Sequence, residues 1–353
     1  MMDTETISRL EPVVTKLSSG ETVFIHLFRP QDAPGIGRLF HAVYGDKYPF
    51  KRFYDPEDLA RALETGDNYS IVARKEDGEI IGHMGFFRSA PFPGLYEAGG
   101  GLVLADFRKE GLNQSLLHYT YELLAPALGI DASWGEAVCN HLHMQRVVRR
   151  HKFIETGLEI DLMPEETFSR EKSSLGRVTS VVAFRCYVPE PHAIYLPSVY
   201  EEVLRSSYSR LDDRRTLQAS GDAPPAGSVS SVSFEIFEFA QVARISVMAI
   251  GEDFESWMKE LEARILKGNV KVLQVRVHLD CAWVGGAVQI LREQGYFYGA
   301  LLPRWFGGDG LLMQKTIERP EWENIKLFSD QAGELLEYIR NDREDVLTFQ
   351  TRR

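Results

Sequence analysis

The run Leu102-Val103-Leu104-Ala105-Asp106-Phe107-Arg108-Lys109-Glu110-Gly111-Leu112-Asn113 decides how the chain is read. It closes a Gly-rich, strand-like stretch from Tyr96 to Leu104. A short turn, Ala105 to Glu110, then leads into a helical stretch from about Gly111 to Leu128. The first N–H groups of a helix have no partner inside it and sit at the positive end of its dipole. Such a turn can receive a pyrophosphate without net positive charge. Gly111 permits close backbone approach, and Arg108 and Lys109 add two local cations. A glycine turn before a helix also serves as plain punctuation, because Gly takes positive φ at low cost. The residues alone leave both readings open.

Working outward, strands and helices alternate. Upstream, Val23 to Phe28 is a short apolar strand, and Asp32 can cap a helix carrying Ile36, Leu39, Phe40 and Val43. Asp55-Pro56 opens a second short helix. Tyr69 to Arg74 and Glu79 to Arg88 form a hairpin through Asp77-Gly78. Downstream come a strand (Ala132 to Val138), a helix (His141 to His151), a strand (Phe153 to Leu162), a polar loop (164–177) and a strand (Val178 to Val188). Pro189-Glu190-Pro191 starts a connector, with a helix around Pro197 to Leu211 and a linker-like run from Ser220 to Ser228.

The second half runs strand (Val232 to Phe239), strand (Val242 to Ile250), helix (Phe254 to Leu266), strand (Val270 to Val277), helix (Trp283 to Glu293), strand (Tyr296 to Leu302) and strand (Leu311 to Thr316). This repeats the order of the first half, so we read a structural duplication. A last helix covers about Gln331 to Ile339. The predicted class is α/β with a mixed sheet. Four segments are expected: a lead-in (1–22), a first domain (23–188), a connector (189–230) and a smaller second lobe (231–353).

Composition bounds the function. The chain has 353 residues, 44% hydrophobic and 26% charged, which fits a globular protein of about two domains. Its net charge is −11, which makes nucleic-acid backbones poor partners. Cys139, Cys186 and Cys281 are widely spaced, neither a disulfide framework nor a zinc pattern, and fit a reducing cytosol. The start, Met1 to Glu5, is acidic and does not resemble a signal peptide. No apolar run reaches the ~18 residues that cross a bilayer. The expectation is a cytoplasmic protein with no membrane partner. His141 and His143 stand two apart, which on a helix points them away from each other, and no metal site is expected.

The strand and turn from Leu102 to Asn113 resemble motif A of the GNAT acyl-CoA N-acyltransferase superfamily, (Q/R)-x-x-G-x-(G/A). Ala137 to Gln145 with Lys152-Phe153-Ile154-Glu155-Thr156-Gly157 resembles its motif B. It is closest to a subgroup with His and Gln four residues apart before G-F-x-x-T-G. The resemblance covers residues ~22 to ~188, and the second half resembles a degenerate second lobe. It implies a GNAT-like domain that takes acetyl-CoA or another acyl-CoA as co-substrate. The acceptor would be an amine on a small molecule or peptide. It also implies that Leu102, Val103, Leu104, Arg108, Lys109, Glu110, Gly111, Leu112 and Asn113 hold the coenzyme. His141 and Gln145, sharing a helix face, would lie near its acyl arm, or else serve packing. Asn113 stands where the family has Gly or Ala, Glu110 near the phosphates, and Lys152 at a usual Gly. Val148 replaces a Tyr that many relatives use as general acid.

Glu97, on the strand before the turn, is the first candidate for the base that takes the amine proton; the alternative is an exposed strand carboxylate. His83 is the second candidate, or a structural histidine. Phe40, Tyr44, Tyr48, Phe50, Phe53 and Tyr54, with Phe86, Phe87 and Phe92, roof an acceptor site in the family's manner or simply pack. In the second lobe Gly251-Glu252-Asp253 takes the place of the phosphate turn. Its two carboxylates repel phosphate, so this lobe is expected to bind no coenzyme and to act as a scaffold, cleft wall or homodimer face. The expected function is N-acetyl transfer by direct attack. The rival is an acyl-CoA-binding sensor or partner-binding module without turnover.

Overall fold

The computed structural model describes residues 10–46, 48, 51–64, 68–168, 176–211, 214–221 and 223–351. Its contacts divide the chain into two compact units, Met1–Gly135 and Glu136–Arg353.

The first unit contains β1 (Val13–Lys16), β2 (Thr22–Leu27), α1 (Ala33–Tyr44), α2 (Pro56–Glu64), β3 (Asn68–Lys75), β4 (Ile80–Phe87), β5 (Leu95–Val103), α3 (Leu112–His118) and the start of β6 (Ala132–Val138). The strands lie side by side in chain order. Neighbours run antiparallel as far as β5, and β6 is parallel to β5. The β3–β4 hairpin turns at Gly78, with φ of 91°. Ile36, Leu39 and Phe40 of α1 meet Leu59 of α2, Val72, Ile80 and Leu102 in one core. Asp32 precedes α1, but its carboxylate accepts from the Arg29 amide at 2.8 Å and pairs with Arg74 instead of capping the helix.

Two local expectations are corrected here. Residues 13–16, expected in the lead-in, form β1 against β2. The helix expected to run evenly from Gly111 to Leu128 widens into a π turn over Tyr119–Leu124 before Ala125–Ala127. The Thr120 hydroxyl donates to the Leu116 carbonyl at 2.8 Å there, and Pro126 brings no N–H to the ladder.

The second unit continues with α4 (His143–Arg150), β7 (Ile154–Met163), β8 (Val178–Cys186), β9 (His192–Leu196), α5 (Glu201–Tyr208), β10 (Arg215–Ala219), β11 (Ser231–Phe237) and β12 (Val242–Ala249). It ends with α6 (Phe254–Ile265), β13 (Val272–His278), α7 (Val284–Glu293), β14 (Phe297–Leu302), β15 (Gly310–Thr316) and α8 (Asp330–Thr351). Its main sheet has the order β8-β7-β14-β15-β13-β12-β11, and β9 pairs with β10. From β11 to β15 the element order is the one expected, with β12 and β13 parallel. The connector also holds the β9–β10 pair, which the sequence reading lacked. The contact division groups β7 and β8 with β14, since they share a sheet, whereas the sequence segments follow element order.

Buried polar groups tie this unit together. Asp342, inside α8, accepts from Tyr200 Oη (2.9 Å) and the Tyr298 amide (2.7 Å), and pairs with Arg292. α8 therefore runs well past Ile339, where the sequence reading ended it. A carboxylate on the buried face broke the apolar period. The Gln314 amide spans β7 and β14, donating to Leu158 O (2.9 Å) and Tyr298 O (3.2 Å) and accepting from the Ile160 amide (2.8 Å). At Gly157 any Cβ would lie 2.1 Å from the Gly299 carbonyl, so β7 can approach β14 only without a side chain.

Glu159 of β7 is also buried, beside Glu136, with Arg244 at 3.7 Å and Arg276 at 4.0 Å. Burial first, and the Glu136 charge next, push its carboxyl up to about 8 despite the two guanidinium groups. The folded state thus holds a proton that the unfolded chain releases near the ordinary glutamate range. Stability must fall as pH rises from there to about 8. Glu159→Gln keeps the shape and removes the titration. Its melting temperature should fall less than that of the unsubstituted chain between pH 5 and pH 9 in calorimetric scans. Parallel profiles would show that Glu159 does not hold this proton.

Candidate active site

The glycines after Glu97 in β5 allow a backbone that other residues resist. Between its pairings Gly85↔Gly99 and His83↔Leu102 the strand carries one residue more than β4, and Gly100 takes φ of 61°. His83, fully buried, holds this bulge. Its Nδ1 lies 2.9 Å from the Gly100 carbonyl and its Nε2 2.9 Å from Ser70 Oγ. A carbonyl can only accept, so Nδ1 carries the proton and Nε2 accepts from the Ser70 hydroxyl. Burial lowers the imidazole pKa to about 4. Phe40 and Phe53 pack edge-on to the ring, each at 5.3 Å. Both ring nitrogens are committed, Nδ1 to the β5 backbone and Nε2 to Ser70.

Glu97 and Tyr48 face the bulge. A Cβ at Gly99 would lie 3.4 Å from Glu97 Oε1 and 3.1 Å from the Phe87 ring; one at Gly100 would lie 3.3 Å from Tyr48 Oη. The Tyr48 phenol is pushed up by burial first, then by Tyr44 and the Glu97 charge. Phe40 stacks on Phe53 at 4.2 Å and meets Tyr48 edge-on at 4.8 Å. Tyr54 Oη donates to the Gly45 carbonyl at 2.7 Å and accepts from the Tyr48 amide at 3.1 Å. The aromatic group expected here therefore assembles around Gly100, with Phe50 outside the described residues. Phe86 does not join it, packing on Tyr96 and Tyr121 at 5.1 and 6.3 Å. Tyr48 as a hydroxyl source was not read from the sequence; its position in an aromatic loop was the only signal.

The pairing of β5 with β6 ends early. Leu95↔Ala132, Tyr96↔Ser133 and Glu97↔Trp134 are paired, and β5 runs on to Val103. Leu104 then donates to the Ile81 carbonyl at 2.9 Å, and Phe107 and Arg108 close one tight turn. Lys109 and Gly111 are both left-handed, with φ of 73° and 80°. The first helical bond of α3 is Ser115 N to Gly111 O at 3.0 Å, so the amides of residues 112–114 precede it. Arg108 Nε donates to Val103 O at 3.3 Å. The Glu110 carboxylate accepts from the Ser18 amide (2.8 Å) and hydroxyl (2.5 Å) in the β1–β2 turn. Those bonds hold its charge in the ionised form and away from the turn's amides. Leu112 is buried, and Asn113 Oδ1 lies 3.8 Å from where a Gly101 Cβ would be.

The second stretch of candidates is arranged differently from expectation. α4 starts at His143, so His141 lies in the preceding turn and shares no helix face with Gln145. Gln145 is fully buried. Its Nε2 donates to His141 O (3.2 Å), Val138 O (3.3 Å) and Lys326 O (2.8 Å), and its Oε1 accepts from the Phe328 amide (2.9 Å). Val148 faces the interior at 6% exposure. Lys152 is left-handed, with φ of 62°, at the position where the related motif has glycine. No group of three or more His, Cys, Asp or Glu side chains suited to a metal occurs among the described residues. No helix there is long and apolar enough to cross a membrane.

In the second unit the turn before α6 is occupied by the chain itself. The Gly251 amide donates to Ser230 Oγ (3.0 Å) and the Glu252 amide to Ser228 O (3.1 Å). Glu252 and Asp253 turn outward to the amides of Gly227 (2.8 Å) and Ser230 (2.7 Å). The expected closure is thus made by segment 227–230, not by carboxylates competing for the same amides.

No protein-family model and no curated protein matches the chain. Solved structures of N-acetyltransferases do. The ribosomal-protein-S5-alanine acetyltransferase of Vibrio fischeri is 12% identical, covering 49% of this chain and 96% of its own, with a TM-score of 0.39. A GNAT-family acetyltransferase of Streptococcus pneumoniae is 14% identical over 46% and 99%, with a TM-score of 0.40. An aminoglycoside 6'-N-acetyltransferase complexed with coenzyme A is 12% identical over 48% and 99%, with a TM-score of 0.35.

Removing the His83 ring leaves the Gly100 carbonyl and the Ser70 hydroxyl buried without their partner. His83→Leu should lower unfolding free energy by about 2–4 kcal/mol in urea titrations. The His83 ring protons should show no titration by NMR between pH 5 and pH 8. A titration inside that range would mean that the imidazole is free to act as a base.

Proposed function

We propose that the chain is an acyl-CoA-dependent N-acyltransferase, most simply an acetyltransferase, whose first unit holds the coenzyme. The observation that carries this reading is β5. Beyond Glu97 its β6 side has no strand partner among the described residues, yet the strand continues to Val103 and ends in the Gly111 turn. An extended amide chain can add to such an edge, and pantetheine is one. Leu102, Val103 and Leu104 would offer that edge. The amides of residues 109–113, with Arg108 and Lys109, would meet the pyrophosphate. The residues fit the group, because Glu110 points its charge at Ser18 and Gly111 leaves open space where a Cβ would stand.

Bound acetyl-CoA supplies an activated thioester. The chain's own work is to position an amine against it and to move protons. Glu97 takes the amine proton, directly or through one water. Tyr48, whose raised phenol stays protonated through neutral pH, supplies the donor that Val148 cannot. His83 keeps Gly100 in place. The acceptor class is an amine on a small molecule or peptide.

Val148 also supports a second reading, a coenzyme-binding protein without turnover. Incubating the chain with acetyl-CoA and a panel of amines, and following free thiol, separates the two. Thiol release above the rate without protein is expected; saturable binding with none would favour the sensor. Glu97→Gln should slow release mainly below pH ~8, because more amine is already neutral at higher pH. An equal loss at every pH would assign Glu97 to binding.

A further inference from the structure

The outer face of α4 carries Arg146, Arg149 and Arg150, three cations within little more than one turn, on a chain of net charge −11. Like charges three and four residues apart destabilise a helix. The dipole accounts for Arg149 and Arg150, which sit in the last turn, but not for Arg146 in the first half. Neither Arg146 nor Arg149 has a carboxylate partner among the described residues. The three side chains and Phe328 line a groove of about 270 Å³. Phe328 is 41% exposed, a large apolar ring kept at the surface, with the Arg146 guanidinium 5.1 Å from its centre.

The groove's far wall is built. Gln145, one residue before Arg146, binds both Lys326 O and the Phe328 amide from inside. The Lys326 amide donates to Cys139 O at 2.8 Å, and Lys326 Nζ to Asn140 O at 3.0 Å. The backbone that carries Phe328 is therefore fastened beside the arginine face. Guanidinium forks match the oxygens of phosphate and hold them bidentately. A tetrahedral dianion can engage several forks at once, and an attached organic group would lie on Phe328. We propose that this groove is a binding site for a small organic phosphate, separate from the coenzyme site of the first unit.

The test uses the full chain and phenyl phosphate in isothermal titration calorimetry, with inorganic phosphate, benzoate and coenzyme A as comparisons. Saturable phenyl phosphate binding is expected, tighter than that of inorganic phosphate or benzoate. The double variant Arg146→Gln/Arg149→Gln should weaken it ~10-fold or more. Phe328→Ala should erase the advantage over inorganic phosphate. These side chains are exposed, and an unchanged circular dichroism spectrum checks the fold. Coenzyme A held at saturation should leave phenyl phosphate binding in place. The proposal is overturned by absent binding, by binding that the double variant leaves unchanged, or by benzoate binding as well as phenyl phosphate. Displacement by coenzyme A would equally overturn it, by assigning the groove to the cofactor. Failure here would leave the thiol-release result untouched.

Discussion

A strand that stops pairing must find other partners for its N–H and C=O groups, or leave them to water or a ligand. β5 is under that constraint. It is paired with β4 from Glu97 to Val103, but with β6 only from Leu95 to Glu97. The bulge at Gly100 lies just beyond that point, and His83 fastens it through a buried hydrogen bond from Nδ1, while Nε2 accepts from Ser70, which only the neutral imidazole can do. The aromatic residues of α1 and the following loop then close over Gly100. Each neighbour depends on the absence of side chains at Gly99 and Gly100, where a Cβ would crowd Phe87, Glu97 and Tyr48. The open edge, the candidate base and the candidate donor are thus consequences of one backbone irregularity.

The second unit contains the same order of elements with a different outcome at the equivalent turn. There the chain spends its own segment 227–230 on the Gly251 and Glu252 amides. Its other polar groups serve cohesion. Asp342 joins α8 to Tyr200, Tyr298 and Arg292, and Asp309 joins Arg215, the Arg304 amide and His192. Burying charge this way is costly unless each oxygen is bonded, and these are. Two copies of one element order can therefore diverge, one leaving open space at Gly111 and the other sealing its helix start with local sequence.

The parts legible in the sequence were those with a local physical cause. The Asp77-Gly78 turn, the Gly111 entry into α3 and the strand–helix order from Val232 to Thr316 all follow from periodicity and turn chemistry. What was misread depends on residues distant in the chain. The Glu110 carboxylate would face the phosphates by proximity, but Ser18 claims it. His141 falls outside α4, and Gln145 faces inward because segment 326–328 supplies its partners. Asp342 and Arg343 sit on the buried side of α8, so the apolar spacing seemed to stop at Ile339. His83 was legible as a histidine facing the site, but not as one with both nitrogens already engaged.

The account rests on one turn being open to coenzyme A and its counterpart being closed. Calorimetric titration of the whole chain with acetyl-CoA tests this most directly. It predicts saturation at one site per chain, and loss of that site in Gly111→Val with the circular dichroism spectrum unchanged. Two sites per chain, or full affinity in folded Gly111→Val, would contradict it.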